Sequence, residues 1–417
     1  MLRTHSRLSW ALAALGVAAA TVLVAACGGG GGAGGAGGGS AGGGGTQVAA
    51  NQAVVTVGKG VEGVANIPTV SLTICVPGTS TCQTIDNVQV DTESFGLRLA
   101  SSVASQVLSA LPKQTVGGGQ LAECTAFADG FTWGSIRMAD VKISGESAGS
   151  VPIQIVGDMP QGAVTTGGCA TGRLESTPAD LGANGILGIG VAPNDCGALC
   201  AGPTAGNSNY YSCPGGTSCA QTLVPIAQQV TNPVSKFASD NNGVILTMPA
   251  VGPSGQGTVS GVVTFGIGTQ SNNALPNTVT KFTTNPYGDV NATFNGSAIT
   301  AFFDSGSNAY FFSDSSLPNC AGNASSFYCP TAATTRGIKV ASYSTSTSGA
   351  PSGTSLSMAI GNGSQLLANG NYALNNLAGN LGNGAFVDLG MPFFYGQTVY
   401  YGLDQSGSGG PAPFVAF

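Results

Sequence analysis

Beyond Thr46 the chain runs as short stretches of Val, Ile, Thr and Phe, each cut off by Gly, Pro, Asn or Ser. Such punctuation leaves little uninterrupted chain for long helices and suits strands joined by polar turns. Charge points the same way. Only 7% of the 417 residues are Asp, Glu, Lys or Arg, while 42% are hydrophobic, which disfavours long solvated helices and charge-driven disorder alike. The expected fold class is all-β with a few short helices, the best helical candidates being residues 101–111 and 221–239. The chain exceeds one ordinary domain of roughly 100–200 residues, so two lobes or one large one are expected.

The single histidine is His5, which lies in an N-terminal leader. Cleavage of that leader would leave no histidine, and with none, Ser-His-Asp, Cys-His and His-ligated metal chemistry are excluded together. No metal and no cofactor is expected, and the chemistry left to the chain is that of carboxylates, hydroxyls and thiols. Loss of Arg3 and Arg7 with the leader takes the net charge from -6 to -8, which argues against a nucleic-acid partner.

Residues 1–26 have a short basic start and then a mostly apolar run, the pattern of a signal peptide. The tetrad Val24-Ala25-Ala26-Cys27 resembles the lipobox of bacterial lipoproteins. That resemblance implies cleavage before Cys27, acylation of its thiol and amino group, and a lipid anchor in the bacterial cell envelope. Gly28 in place of Asp implies the outer membrane. Residues 27–46 then form a tether: fourteen of the eighteen positions from Gly28 to Gly45 are glycine, a flexible coil with a reach of roughly 25 Å. No strand-loop-helix frame or lysine accompanies these glycines, so they read as spacer rather than as a phosphate cradle.

Apart from Cys27, ten cysteines remain, enough for five disulfides in an oxidising compartment. Cys75 with Cys82 and Cys320 with Cys329 flank short loops and read as local staples, and Cys124 with Cys169 is placed to pair across a hairpin. Cys196, Cys200, Cys213 and Cys219 allow three connectivities, with a four-thiolate zinc site as the sharper alternative.

Two segments echo each other: NVQVDTESFGLRL around Asp91, and ITAFFDSGSNAYFF around Asp304. In each, an apolar strand ends at an aspartate followed by Thr or Ser, and by Ser two places further on. An acid at the end of a buried strand is costly unless it is hydrogen-bonded or functional. Taken singly, each reads as a turn-capping Asp. Taken together they resemble the paired Asp-Thr/Ser-Gly-Ser motifs of pepsin-like aspartic peptidases, one per lobe. Four further segments fall in that family's order. Residues 127–145 resemble its flap, with Phe127, Asp129 and Gly130 at the tip and Gly134 seven places after the aromatic. Residues 183–190 (ANGILGIG) resemble the strand after the first active-site loop, residues 242–268 the strands closing the first lobe, and residues 388–404 the C-terminal segment.

The resemblance covers nearly everything from about residue 65 onward. It implies a bilobal β fold, with a first lobe over residues 47–275 and a second over 276–417. It also implies peptide hydrolysis by Asp91 and Asp304 as the catalytic pair, supported by Thr92, Ser94, Ser305, Gly306 and Ser307. Two carboxyls a hydrogen bond apart share a proton; the ionised one activates water and the protonated one donates to the peptide oxygen. The expected partner is a polypeptide substrate or peptide ligand, and the expected state is a monomer. Four positions depart from the pattern. Glu93 stands where the first triplet has Gly and is the residue suspected of disabling it; Phe127 and Arg98 replace the hydrogen-bonded Tyr and Trp of the flap; Met391 replaces an Asp. A pepsin-like relative that binds peptide without cutting it is therefore the alternative, and a β-sandwich adhesin or glycan binder is the competing class.

Overall fold

The computed structural model describes residues 48–128, 130–160, 169–170, 172–345, 353–382 and 386–417. The leader, Cys27, the tether and Asp129 lie outside the described residues. No described helix is long and apolar enough to cross a membrane.

Strand patterns follow from where each strand sits. Gln52–Val57 alternates half-buried and buried positions, as a strand with one covered face should. Phe95–Ala100 and Gly185–Ile189 are buried at every position, and both read as near-continuous apolar runs because both of their faces are covered. The described strands form two sheets. The larger takes strands from Gln52 to Thr283 and then, near the C-terminus, Thr398–Gly402 and Phe414–Ala416. The smaller takes those from Val290 to Leu389. The chain thus leaves the first sheet after residue 283, builds the second, and returns. Lys281–Thr283 pairs with Phe414–Ala416, and Gly243–Thr247 with Thr398–Gly402. One continuous apolar core runs through both halves, from Val90, Leu97 and Leu187 to Phe303, Leu389 and Tyr401. The result is an all-β, bilobal fold of the pepsin-like kind.

Neither helical candidate forms an α-helix. Residues 101–111 are a succession of turns, in a stretch where Ser101, Ser102, Ser105 and Ser109 compete for the backbone with their own hydroxyls. Residues 221–239 break into two 3-10 turns, Ile226–Gln228 and Pro233–Lys236, because Pro225 and Pro233 cannot donate within a helix. The described α-helices are the short Pro178–Leu181, Ala198–Ala201 and Gly363–Ala368.

Five disulfides form. Cys75–Cys82, Cys124–Cys169 and Cys320–Cys329 pair as expected, and the remaining four cysteines pair locally as Cys196–Cys200 and Cys213–Cys219. That leaves no thiolate for the zinc alternative. Four of the bridges close loops of 4 to 9 residues, whereas Cys124–Cys169 spans 45. Loop-closure entropy grows with span, so removing Cys124–Cys169 with two serines should cost about 4 kcal/mol and removing Cys75–Cys82 only about 2 kcal/mol. Urea unfolding of the two double variants checks the order; equal losses would contradict it.

Candidate active site

The same local frame is built twice. The strand Cys82–Asp91 ends at Asp91 and pairs in parallel with Gly185–Ile189, which also pairs antiparallel with Phe95–Ala100 just past the aspartate loop. In the second half Ser297–Phe303 leads into Asp304 and pairs in parallel with Phe386–Leu389, which also pairs antiparallel with Tyr310–Phe312. Each loop rests on a glycine. A Cβ at Gly188 would lie 2.7 Å from Ser94 Oγ, and one at Gly390 would lie 2.7 Å from the Ser307 carbonyl oxygen. Glycine at these two positions lets the loop pack down onto the later strand, which sets the aspartate at the end of a strand paired on both sides.

Thr92 and Ser305 then join the two halves. Thr92 Oγ1 donates to the Phe303 carbonyl at 2.9 Å and accepts from the Ser305 N–H at 2.9 Å, while Ser305 Oγ donates to the Val90 carbonyl at 2.7 Å. Each hydroxyl therefore grips the residue that precedes the other half's aspartate. Gln89 Nε2 adds a bond to the Gly306 carbonyl at 2.8 Å. These contacts bring Asp91 and Asp304 together, 3% and 4% exposed, so close that a Cβ on Gly306 would lie 2.9 Å from Asp91 Oδ1 and 3.0 Å from Asp304 Oδ1. Backbone N–H groups hold one oxygen of each: Glu93 and Ser94 donate to Asp91 Oδ1 at 2.8 and 3.1 Å, and Gly306 donates to Asp304 Oδ1 at 2.7 Å. Ser307 Oγ donates to Asp304 Oδ2 at 2.8 Å. Burial and then the neighbouring Asp91 push the Asp304 carboxyl well above the usual range, against the pull of Ser307 and Gly306. One proton shared across a buried carboxyl pair is the state this geometry favours.

Gly306 must be glycine, since a Cβ there would sit 2.7 Å from Asp91 Cγ. Glu93, its counterpart, keeps the backbone donation that Gly306 makes and lays its buried carboxyl against Gly288 of the second half, where a Cβ would collide with it. Gly288 has φ +99° and approaches within contact of that carboxyl. The hydroxyls of Ser94 and Ser307 differ. Ser307 supports its aspartate, but Ser94 Oγ finds no partner among the described residues and faces Gly188. Two N–H donors already occupy Asp91 Oδ1, so its loop holds the carboxyl without the serine.

The flap hairpin pairs Gly119–Ala126 with Gly130–Ile143 and turns where the Phe127 N–H donates to the Gly130 carbonyl at 2.8 Å. Gly130 runs so close to the Arg173 carbonyl that no side chain would fit. Phe127 is buried and packs on Leu181 and Ile186. Arg98, fully buried, turns to the base of the hairpin: its Nη2 donates to Glu123 Oε1 at 2.8 Å, Thr125 Oγ1 at 3.2 Å and Asp195 Oδ2 at 3.0 Å. Tyr210 Oη donates to Asp195 Oδ1 at 2.7 Å. Burial alone would lower the Arg98 pKa, but Glu123 and Asp195 outweigh it and raise it. Burial, and then Glu123, push Asp195 well above the carboxylate range. Replacing Arg98 by Met would leave the carboxyl groups of Glu123 and Asp195 buried without their cation. The expected loss is about 3–5 kcal/mol, read by urea unfolding at pH 7; a loss under 1 kcal/mol would mean that the cluster relaxes without its cation.

Sequence reasoning passes over two features of the site. The first is this cluster, whose members lie far apart in the chain. The second is Asp388, fully buried beside Ser307 and close enough to Asp304 to raise its pKa with it. Asp388 carries the same signal as the pair, an acid inside an apolar run, and was legible as such.

A comparison of folds finds similarity to the crystal structure of an aspartic proteinase from Irpex lacteus, with a TM-score of 0.50 and 12% sequence identity over 88% of this chain and 97% of that one. At that identity the likeness speaks for the fold. No curated protein matches the sequence. A family model described as "Protein of unknown function (DUF3443)" matches residues 47–417. That match takes in both aspartate loops, the flap hairpin and all ten cysteines of the five disulfides, and the chain belongs to the DUF3443 family.

Proposed function

We propose that this protein is an aspartic-type endopeptidase tethered to the bacterial cell envelope. The observation that carries the reading is the pair of buried, adjoining carboxyls of Asp91 and Asp304, held by matching loops and crossed hydroxyl bonds. In the reaction the ionised carboxyl takes a proton from a water as its oxygen attacks the peptide carbonyl, and the protonated carboxyl donates to the oxygen of the forming tetrahedral intermediate. Collapse returns a proton to the leaving nitrogen and breaks the C–N bond, leaving a carboxylic acid and an amine. The raised Asp304 pKa supports the protonated role for that residue. Glu93 is compatible with this chemistry because its N–H still serves Asp91 while its side chain packs against Gly288.

A peptide-binding relative without cleavage is the second reading. It is favoured by Phe127, which has no hydroxyl and is packed on Leu181 and Ile186, and by the bulk of Glu93 in the first loop.

Cleavage of a denatured protein by the full-length chain, scanned from about pH 3 to pH 7 across the carboxylate range, separates the two. Under the first reading native protein cleaves at acid pH, Asp304→Asn loses about 10²–10⁴-fold in kcat/KM, and Glu93→Gly changes little. Silence in the native protein, with cleavage appearing in Glu93→Gly, would establish the second. The anchor is tested apart from activity: native protein should enter the detergent phase of a phase separation and Cys27→Ser should remain in the aqueous phase. Equal partition of the two would remove the lipid anchor from the proposal.

A further inference from the structure

Asp388 lies in the strand Phe386–Leu389, opposite Phe302 on one side and Phe311 on the other, with no exposure to solvent. The first half shows what this position requires. There the residue two places before the loop-bearing glycine is Ile186, packed with Phe127 and Leu181; the glycines are Gly188 and Gly390. An apolar side chain satisfies the frame, so an ionisable one adds a desolvation cost that the fold does not demand.

Neither Asp388 oxygen receives a fully formed hydrogen bond from a described residue, yet the Ser307 hydroxyl is near enough to act on it. Ser307 has one proton to donate and gives it to Asp304 Oδ2 at 2.8 Å. What Ser307 offers to Asp388 is therefore a lone pair, whose favourable partner is a carboxylic acid O–H rather than a carboxylate. The groups around Asp388 agree. Asp304 and Asp91 are the charges that act on it; the adjoining strands present Phe302, Phe303, Phe311 and Tyr310, whose phenol burial raises. Burial, and then the repulsion of Asp304, raise Asp388 well above the ordinary carboxylate range, against a smaller opposing pull from Ser307.

We propose that Asp388 is a protonated carboxylic acid which donates to Ser307 Oγ and thereby orients that hydroxyl onto Asp304, so that the site is a chain of three carboxyls. Asp388 is a positioning residue that acts through Ser307. Its protonation stands on the structure alone, while its effect on turnover rests on the peptidase reading.

The test uses full-length protein, Asp388→Asn and Asp388→Leu. A group with a raised folded pKa stabilises fully below its unfolded value, near 4, and that contribution is lost as pH rises through the folded value. The Tm of the wild type should therefore fall relative to both variants between about pH 4 and pH 8, by about 2 °C or more. A gap that does not change with pH would overturn the proposal, and either variant suffices for this arm if the other does not fold. In cleavage assays, Asn can still donate to Ser307 and should keep kcat near the wild type, whereas Leu cannot. Asp388→Leu should lower kcat about tenfold or more at similar KM and move the pH limb set by Asp304 upward, because a loosened Ser307 lowers that pKa less. Equal kcat and equal profiles for Asn and Leu would sink the orienting role. Failure of every form to cleave would count against the peptidase reading only, with the Tm arm still deciding the protonation of Asp388.

Discussion

Thr92 and Ser305 each reach across to the carbonyl that precedes the opposite aspartate, and the carboxyl pair exists because of that exchange. The two loops belong to strands of different sheets, so neither loop alone brings Asp91 near Asp304. With the hydroxyls crossed and the Ser305 N–H bonded back to Thr92 Oγ1, the ends of both aspartate strands share one hydrogen-bonded unit. Tyr401, from the strand that returns to the first sheet, adds its own bond to the Phe303 carbonyl at 2.7 Å. The backbone at the site is thus held from three elements, and the residues that accept these bonds are the ones next to the acids.

Rigid support matters because this interior is rich in acids and poor in cations. Asp91, Glu93, Asp304 and Asp388 gather around the junction of the halves, and Glu123 with Asp195 sit at the base of the flap hairpin, all buried or nearly so. Arg98 is the cation that reaches this second group. Acids in such numbers cannot all ionise without a large desolvation cost, so retained protons are built into the fold. Asp195, Asp304 and Asp388 are all raised, with burial as the leading cause in each.

The flap hairpin is secured differently from that of the family its sequence resembles. In place of that family's hydrogen-bonded Tyr and Trp, Phe127 packs on Leu181 and Ile186, and Arg98 ties the strand before the turn through Glu123 and Thr125. The Cys124–Cys169 bridge and the close pass of Gly130 over Arg173 hold the same hairpin from its other side. Apolar contact and a buried ion pair thus take over the anchoring of one hairpin. Both are insensitive to the loss of the aromatic hydrogen bond, which explains how the substitutions at 98 and 127 coexist with an intact hairpin.

Strand class, the twin aspartate loops and the short cysteine staples were legible in the sequence because each rests on neighbours a few residues apart: an alternating run, a turn, an acid after an apolar strand. Residues 101–111 and 221–239 do not form the expected helices, because serine competition and proline placement outweigh local apolar content there. The position of Asp388 behind the pair, the direction of Glu93 and the Arg98 cluster depend on contacts between segments tens to hundreds of residues apart. The sequence by itself determined that two acids stand at the ends of buried strands in matching loops. Only the tertiary structure decided that those acids meet, that a third lies behind them, and that Glu93 packs against Gly288, because the distance between charges and the water left around them are properties of the packed halves and of no single segment.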